Sequence, residues 1–402
     1  MIKNGFSIKT IEDEKIEGKR VLVRVDFNVS LTDDFTIADD VRIRQAIPTL
    51  EYLLKKNNKL ILISHLGRPK GRQMHFSLKK VALHLHDLIP QYQVTLVDDF
   101  LSESGQKQLA NQKEHEIMLL ENIRFYPQEK EKSSAFAQKL AQLADMYVND
   151  AFGVCHRSDS SISQIPTFLP SYAGLLLKKE IETISSIVKK VKKPFVAIIG
   201  GAKISTKINF LSKLLDVADY VLLGGGLANT FLLTQGLAIG KSLAEKEEAD
   251  AAKKLLFMAA QKNTAVILPK DAVVGNPSNG KDGGQVVKIE DIPKNASILD
   301  IGPQTQAMFS NIISQAKTII WNGPVGYCEN SQFCRGTDFL YYAITQNKNA
   351  VSIVGGGDTL ATISKKEYLD QITHISTGGG AMLEFIEKGT LPGIEALSQK
   401  KS

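Results

Sequence analysis

Short apolar runs alternate with amphipathic stretches along most of this chain. Arg20–Phe27 (RVLVRVDF) predicts a strand and Ile43–Lys56 an amphipathic helix. Leu60–Ser64, Glu116–Leu120 and Met146–Asn149 predict strands, and Leu78–Leu88 and Ser133–Leu143 predict helices between them. Strands separated by helices of roughly ten to fifteen residues mean βαβ units and a parallel sheet. Right-handed crossovers then put a functional crevice at the carboxyl ends of the strands. Ser171–Lys193 reads as one long helix between Pro170 and Pro194, with apolar residues at Leu175, Leu176, Ile181, Ile184 and Val188. A helix joining two α/β halves is a natural hinge arm. The alternation resumes at Phe195–Ile199 and continues through Tyr220–Leu223, Ala265–Leu268, Thr318–Trp321, Val351–Val354 and His374–Ser376. The fold class is α/β, with two halves that are each a mostly parallel sheet flanked by helices.

The strand ends differ between the halves. In the first they are basic: Arg24, Asp26 and Asn28, then His65, Gly67 and Arg68 in SHLGRPKG, then Arg124 in LLENIRF, then His156 and Arg157 in NDAFGVCHR. Arg42 opens the first helix. A single loop arginine is an ordinary surface residue, but several strand-to-helix junctions each delivering one point to a polyanionic small substrate. Guanidinium forks match carboxylate and phosphate bidentately.

In the second half, five of the six strands end in glycine-containing turns, among them Gly224–Gly226, NGPVG, GGGDT and TGGGA. Glycine lets backbone amides approach a ligand closely, which marks a phosphate or nucleotide edge. Pro194–Ile208 (PFVAIIGGAKISTKI) joins a buried strand to Gly200, Gly201 and a helix-like pattern. Lys203 and Lys207, four apart, are expected on one helix face, aimed at an anion. No Walker A spacing is present, and GGGLAN at Gly224–Asn229 keeps only part of the dinucleotide fingerprint. In Gly355–Thr359 (GGGDT) the glycines offer N–H groups, Asp358 suits a metal and Thr359 suits a phosphate oxygen. Either of the last two also serves as a helix cap.

Composition narrows the classes. The 402 residues are long enough for two or three domains, and 43% hydrophobic with 23% charged content is ordinary globular usage. A formal charge of +6, without aromatics interleaved among the lysines, argues against nucleic acid as partner. The opening residues lack an apolar h-region, so no signal peptide is expected, and no run is long enough to span a membrane. The three cysteines, Cys155, Cys328 and Cys334, make no C-x-x-C pair. They favour a reducing, cytoplasmic setting over a disulfide framework or zinc site. His84 and His86 fall on different helix faces, not on one metal.

Taken together and in order, RVDFNV, SHLGRPKG, LLENIRF, NDAFG-x-x-HR, GGAKISTKI, GGGLANTFL, DIGPQT, WNGPVG, VGGGDT, TGGGAMLEF and LPGIEAL resemble the phosphoglycerate kinase family over nearly the whole chain. The resemblance implies two Rossmann-like domains and a monomer. Residues 1–172 would bind 3-phosphoglycerate or 1,3-bisphosphoglycerate, 173–193 would form the hinge helix, and 194–385 would bind Mg-ADP or Mg-ATP. Residues 386–402 would return to the first domain.

Carried over residue by residue, Asp26, Phe27 and Asn28 would meet the glycerate end. His65, Arg68, Arg124 and Arg157 would form the basic patch for the non-transferring phosphate and carboxylate, with Leu66 and Gly67 also binding substrate. Arg42 and Lys203 would be catalytic, acting on the group in flight. Gly201, Lys207, Asn322, Gly356, Gly357 and Thr359 would hold nucleotide phosphates, Glu329 the ribose, and Asp358 the Mg2+ ion. Three positions depart from the family's usual pattern: Ser30 for proline, Cys328 for phenylalanine, and Ile298 for a glycine near the adenine pocket. The last implies an altered base contact.

Phosphoryl transfer needs in-line positioning and charge cancellation more than covalent help, and closure of the domains would exclude water. An NAD-dependent oxidoreductase built on GGGLAN would leave the lysine pair and GGGDT unexplained. A degenerate nucleotide-binding relative would not require the full cationic set.

Overall fold

The computed structural model describes residues 7–399, apart from 33, 190, 278–283, 364 and 365. The chain forms two compact units, one of Met1–Glu182 with Lys388–Ser402 and the other of Thr183–Glu387.

The first unit is built on a six-stranded parallel sheet. Its strand order is Gln93–Val97, Glu116–Leu120, Lys59–Ile63, Arg20–Arg24, Met146–Asn149, Ser171–Ala173. Val21, Leu22 and Val23 are fully buried, as are Leu60–Ile63, so consecutive residues pack on opposite faces under helices. Helix Val41–Leu54 buries Ile43, Ala46, Leu50 and Leu53, spaced three or four apart, against Val21, Val23, Leu60 and Leu62. Each large apolar side chain in such a seam contributes about 1.5–3 kcal/mol.

Two strands of this sheet escape the hydrophobic pattern. Gln93–Val97 lies at one edge and keeps Gln93 exposed. Ser171–Ala173 was expected inside the long helix, but it pairs with Met146–Asn149 at the other edge. The helix starts only at Leu175 and runs to Lys189. The break is at Gly174, where a Cβ would come within 2.2 Å of Asp150 Oδ1. That carboxylate accepts from the Leu177 amide at 3.1 Å and secures the first turn. The division between units falls inside this helix, at Glu182/Thr183. In the first unit, Ser398–Gln399 pairs antiparallel with Ser7–Ile8, and Gly393 N donates to Cys155 O at 2.8 Å.

The second unit's parallel sheet has the order Ala265–Ile267, Tyr220–Leu223, Phe195–Ile199, Thr318–Asn322, Val351–Gly355, His374–Ser376. These are the six strands that the apolar runs predict. A separate three-stranded antiparallel sheet of Gln285–Lys288, Asp271–Gly275 and Ser297–Ile301 was not expected. Asp271–Gly275 and Ser297–Ile301 mix acidic or hydroxyl residues with apolar ones, and Gln285 and Val286 are exposed, so no clean apolar run marks this sheet.

Candidate active site

In the first unit, strand Arg20–Arg24 delivers Val25–Asn28 to the carboxyl edge of the sheet. Val25 N still donates to Ile63 O at 3.0 Å, and Phe27 N donates to Ser64 Oγ at 2.9 Å. This places Asp26 and Asn28 beside the residues that leave the neighbouring strand. Asp26 is buried, 3.7 Å from Arg42 Nη1 and 3.9 Å from His65 Nδ1. Arg42, in the first turn of its helix, also donates to Asn28 O. Asn28 Oδ1 accepts from Gly67 N at 2.7 Å, and Gly67 O accepts from Arg124 Nη1 at 2.6 Å. Gly67 has φ +63°, and a Cβ there would strike the Phe76 ring. Phe27 and Leu66 are buried beside these groups, Arg157 is half-buried, and Arg68 is exposed.

The electrostatics differ from a uniformly charged patch. Burial, then Arg24, Arg124, Arg42 and Arg157, hold His65 well below the ordinary histidine range. His65 is therefore neutral at pH 7 and offers a hydrogen bond, not the positive charge expected of it. Burial and Arg157 pull Arg124 down to about 10, so it stays protonated under strain from its neighbours. An anion among these guanidiniums would relieve that repulsion.

Beneath these residues lies a supporting layer that the residue order marks only in part: it places Arg24 at the basic strand end and does not single out Glu129. Arg24 is fully buried, donates through Nε to Ser161 Oγ at 2.9 Å, and lies 3.3 Å from His65 Nδ1 through Nη2. Ser161 in turn donates its hydroxyl to Glu129 Oε1 at 2.6 Å and its amide to Oε2 at 2.9 Å. Arg24 and Glu129 form a floor that supports His65. The available signal was a charged residue midway through an otherwise apolar strand, RVLVRVDF.

In the second unit, the glycine turns bind to one another as well as facing outward. Gly200 N donates to Asn322 O at 3.0 Å, Gly201 N to Pro324 O at 2.8 Å, and Gly225 N to Val325 O at 3.0 Å. Gly356 has φ +112°, a region only glycine occupies cheaply, and a Cβ would press on Thr359 Oγ1 and Asn322 Nδ2. Asn322 Nδ2 donates to Gly355 O at 2.8 Å. The fully buried Thr359 hydroxyl donates to Gly355 O at 3.1 Å and accepts from Gly323 N at 2.8 Å. Its hydroxyl thus shapes the turn, and Gly357 opens the short helix Gly357–Thr362. The side chain of Asp358 lies outside the described residues.

The two lysines do not share a helix face. The helix begins at Ile208, with Lys207 at its cap. Gly201 donates to Pro324 O and accepts from Leu227 N, so the chain after it follows neighbouring turns instead of coiling. Lys207 Nζ bends back to Gly200 O at 2.6 Å and Asn322 O at 3.4 Å, while Lys203 is exposed. Beside this edge lies a cavity of about 440 Å³, lined by Gly201, Gly225, Leu243, Ile298, Asp300 and Glu329 among others.

The phosphoglycerate kinase family model matches residues 11–389. The chain belongs to the phosphoglycerate kinase family. It is 46% identical over 394 residues to phosphoglycerate kinase of Dictyoglomus turgidum, covering 98% of this chain and 99% of that protein. It is 43% identical over 396 residues to cytosolic phosphoglycerate kinase 3 of Arabidopsis thaliana, covering 98% of each. Among solved structures, phosphoglycerate kinase from Coxiella burnetii matches with TM-score 0.82 and 38% identity over 97% of this chain and 99% of that one. The enzyme from Pyrococcus horikoshii OT3 matches with TM-score 0.86 and 29% identity, over 97% and 98%.

In this family member, two features in and beside the cavity wall were not anticipated. Cys328 and Cys334 form a disulfide, against the expectation of reduced thiols throughout. Six residues apart, they are joined because the intervening segment turns back through Asn330 N to Tyr327 O at 3.2 Å and Phe333 N to Asn330 O at 2.9 Å. Cys155 remains a free thiol, buried and pushed up to about 12 by that burial.

The second feature is Asp300, which burial pushes up to about 7 although its carboxylate accepts from Gly336 N and Ile301 N, each at 2.8 Å. The unfolded carboxyl titrates near its ordinary value of 3.8. The folded state therefore holds a proton that the unfolded state has released. Stability from this group is present below pH 4 and is lost as pH rises through 7, at about 1.4 kcal/mol per unit within that window. Urea unfolding at pH 5 and pH 7.5 should show Asp300→Asn losing less stability across this interval than the native protein. Equal losses would remove Asp300 as the cause.

Proposed function

We infer that this chain is a glycolytic kinase that reversibly transfers a phosphoryl group between 1,3-bisphosphoglycerate and ADP, giving 3-phosphoglycerate and ATP. The observation that carries the reading is the array of Arg42, Arg124 and Arg157 around a neutral His65, in a chain matched by the family across residues 11–389. In this proposal the array takes the phosphate and carboxylate of 3-phosphoglycerate, the exposed Arg68 adds a positive charge beside it, and Asp26 and Asn28 orient the glycerate hydroxyl. Gly356, Gly357 and Asn322 present donors to nucleotide phosphates, Gly201, whose N–H is held by Pro324 O, lines the nucleotide cavity with bare backbone, Lys207 neutralises one of the phosphates, and Glu329 meets the ribose. Thr359 acts by holding the Gly355–Gly356 turn.

Arg42 and Lys203 carry charge to the group in flight. In-line transfer on closure of the domains is part of the proposal. The acceptor, a carboxylate or an ADP oxygen, is already ionised near neutral pH, so no general base is needed. Magnesium typically takes one or two carboxylates plus phosphate and water oxygens. A single aspartate next to the Gly356 turn and Asn322 fits that need, and Asp358 would hold the ion, which supplies charge neutralisation across the phosphates. A monomer in the cytoplasm is the accompanying proposal, supported by relatives described as cytosolic from Arabidopsis thaliana and Triticum aestivum. Among the described residues no helix is long and apolar enough to cross a membrane.

A coupled assay of 3-phosphoglycerate with Mg-ATP, with Mg-GTP alongside, tests the reading. Turnover with ATP is expected. A folded protein that binds ADP without turnover would overturn it. A preference for GTP would direct attention to Ile298 in the cavity wall.

A further inference from the structure

We propose that Cys328 and Cys334 are a thiol–disulfide exchange site that tunes nucleotide binding, with a dithiol reductant as its partner class. This rests on the nucleotide reading of the second unit's cavity. The pair spans the segment that supplies Glu329 to the cavity wall and begins directly after Tyr327, another wall residue. Both ends of that segment are tied to strand Ser297–Ile301. Tyr327 N donates to Leu299 O at 2.7 Å, and Gly336 N donates to Asp300 Oδ2 at 2.8 Å. Fully buried Phe333 anchors its far side. Between these anchors, Cys328–Asn330 is held as a single turn by the S–S bond and the Asn330 N to Tyr327 O hydrogen bond. The exposed Glu329 sits at its tip. Cutting the cross-link restores torsional freedom to the residues that position Glu329 while leaving the anchors intact.

The two sulfurs are not equivalent. Cys328 is half-exposed, whereas Cys334 is buried. A reductant thiolate attacks Cys328 Sγ, and the Cys334 thiolate leaves and takes up a proton. The reductant's second thiolate then attacks its own sulfur in the mixed disulfide. This releases Cys328 as a thiol and leaves the reductant as a disulfide. Two electrons pass from the dithiol to the pair, and an oxidised dithiol reverses the exchange. In a reducing compartment a disulfide of this kind is a sensor rather than a scaffold.

The test uses the full-length protein, oxidised or treated with dithiothreitol, and the double variant Cys328→Ser/Cys334→Ser. Alkylation and mass spectrometry should find one free thiol, Cys155, in the oxidised protein after unfolding, and three after reduction. The KM for Mg-ATP should rise about 3- to 10-fold on reduction, return on reoxidation with oxidised dithiothreitol, and stay at the reduced value in the double variant. The KM for 3-phosphoglycerate should not change. Hydrogen exchange of amides in 327–336 should quicken on reduction. A KM for Mg-ATP that ignores the redox state, or three free thiols under oxidising conditions, overturns the proposal. Absence of turnover in both states would instead refute the kinase reading. The exchange rates of 327–336 then still decide: unchanged rates overturn the switch.

Discussion

Lys203→Ala is expected to lower kcat by about 10³-fold or more while changing ADP affinity only a few-fold. A well-placed cation in phosphoryl transferases is worth about 10³–10⁵ in rate, because it meets charge that develops only in the transition state. The structure separates the two lysines in a way that sharpens this expectation. Lys207 is bent onto Gly200 O and Asn322 O, at the glycine edge, where it suits a bound phosphate. Lys203 is exposed, four residues earlier in the irregular segment that precedes the helix. Lys207→Ala should therefore raise the nucleotide KM more than it lowers kcat, the reverse of Lys203→Ala. Steady-state kinetics with both substrates varied separates the two. Equal losses in kcat and in ADP affinity for Lys203→Ala would mean that it only binds.

Arg124→Met is expected to raise the KM for 3-phosphoglycerate about 100-fold without lowering the stability of the free protein. Two opposing effects meet at this residue. As a ligand group, a buried guanidinium with one arm fixed on Gly67 O offers a preorganised fork, and hydrogen bonds to charged groups are worth about 1.5–3 kcal/mol each. In the empty protein the same charge is a burden, since burial and Arg157 pull its pKa down to about 10. Methionine keeps much of the apolar stem and removes the repulsion. The variant should thus unfold at no lower urea concentration than the native protein, and 3-phosphoglycerate should protect it less. A variant that unfolds markedly earlier would assign Arg124 to the scaffold. This trade of stability for function is expected where like charges are gathered for a substrate.

Much of this was legible in the residue order because both sheets are parallel and buried on both faces. Such strands must be apolar runs bounded by turns, and their carboxyl ends are where a crevice lies. Hence Phe195–Ile199, Tyr220–Leu223, Glu116–Leu120, Met146–Asn149 and His374–Ser376 are read to the residue. Arg42, Arg124 and the glycine turns stand out for the same reason. Where burial is one-sided or absent, the signal fades, as at Gln93–Val97 and at Gln285–Lys288 in the antiparallel sheet.

By itself, then, the sequence determined the α/β class, the strands buried on both faces, and the chemical character of each half's strand ends, because these depend on local periodicity and residue type. Only the tertiary structure decided which groups share a charge environment or a hydrogen bond. It neutralised His65 by burying it among arginines, set Arg24 on Ser161 above Glu129, and bent Lys207 onto Gly200 O and Asn322 O. It also closed Cys328 onto Cys334 across a loop whose turn no spacing rule encodes. Each of these depends on distances between residues far apart in the chain or on a backbone path set by neighbouring turns, and spacing along the chain does not carry that information.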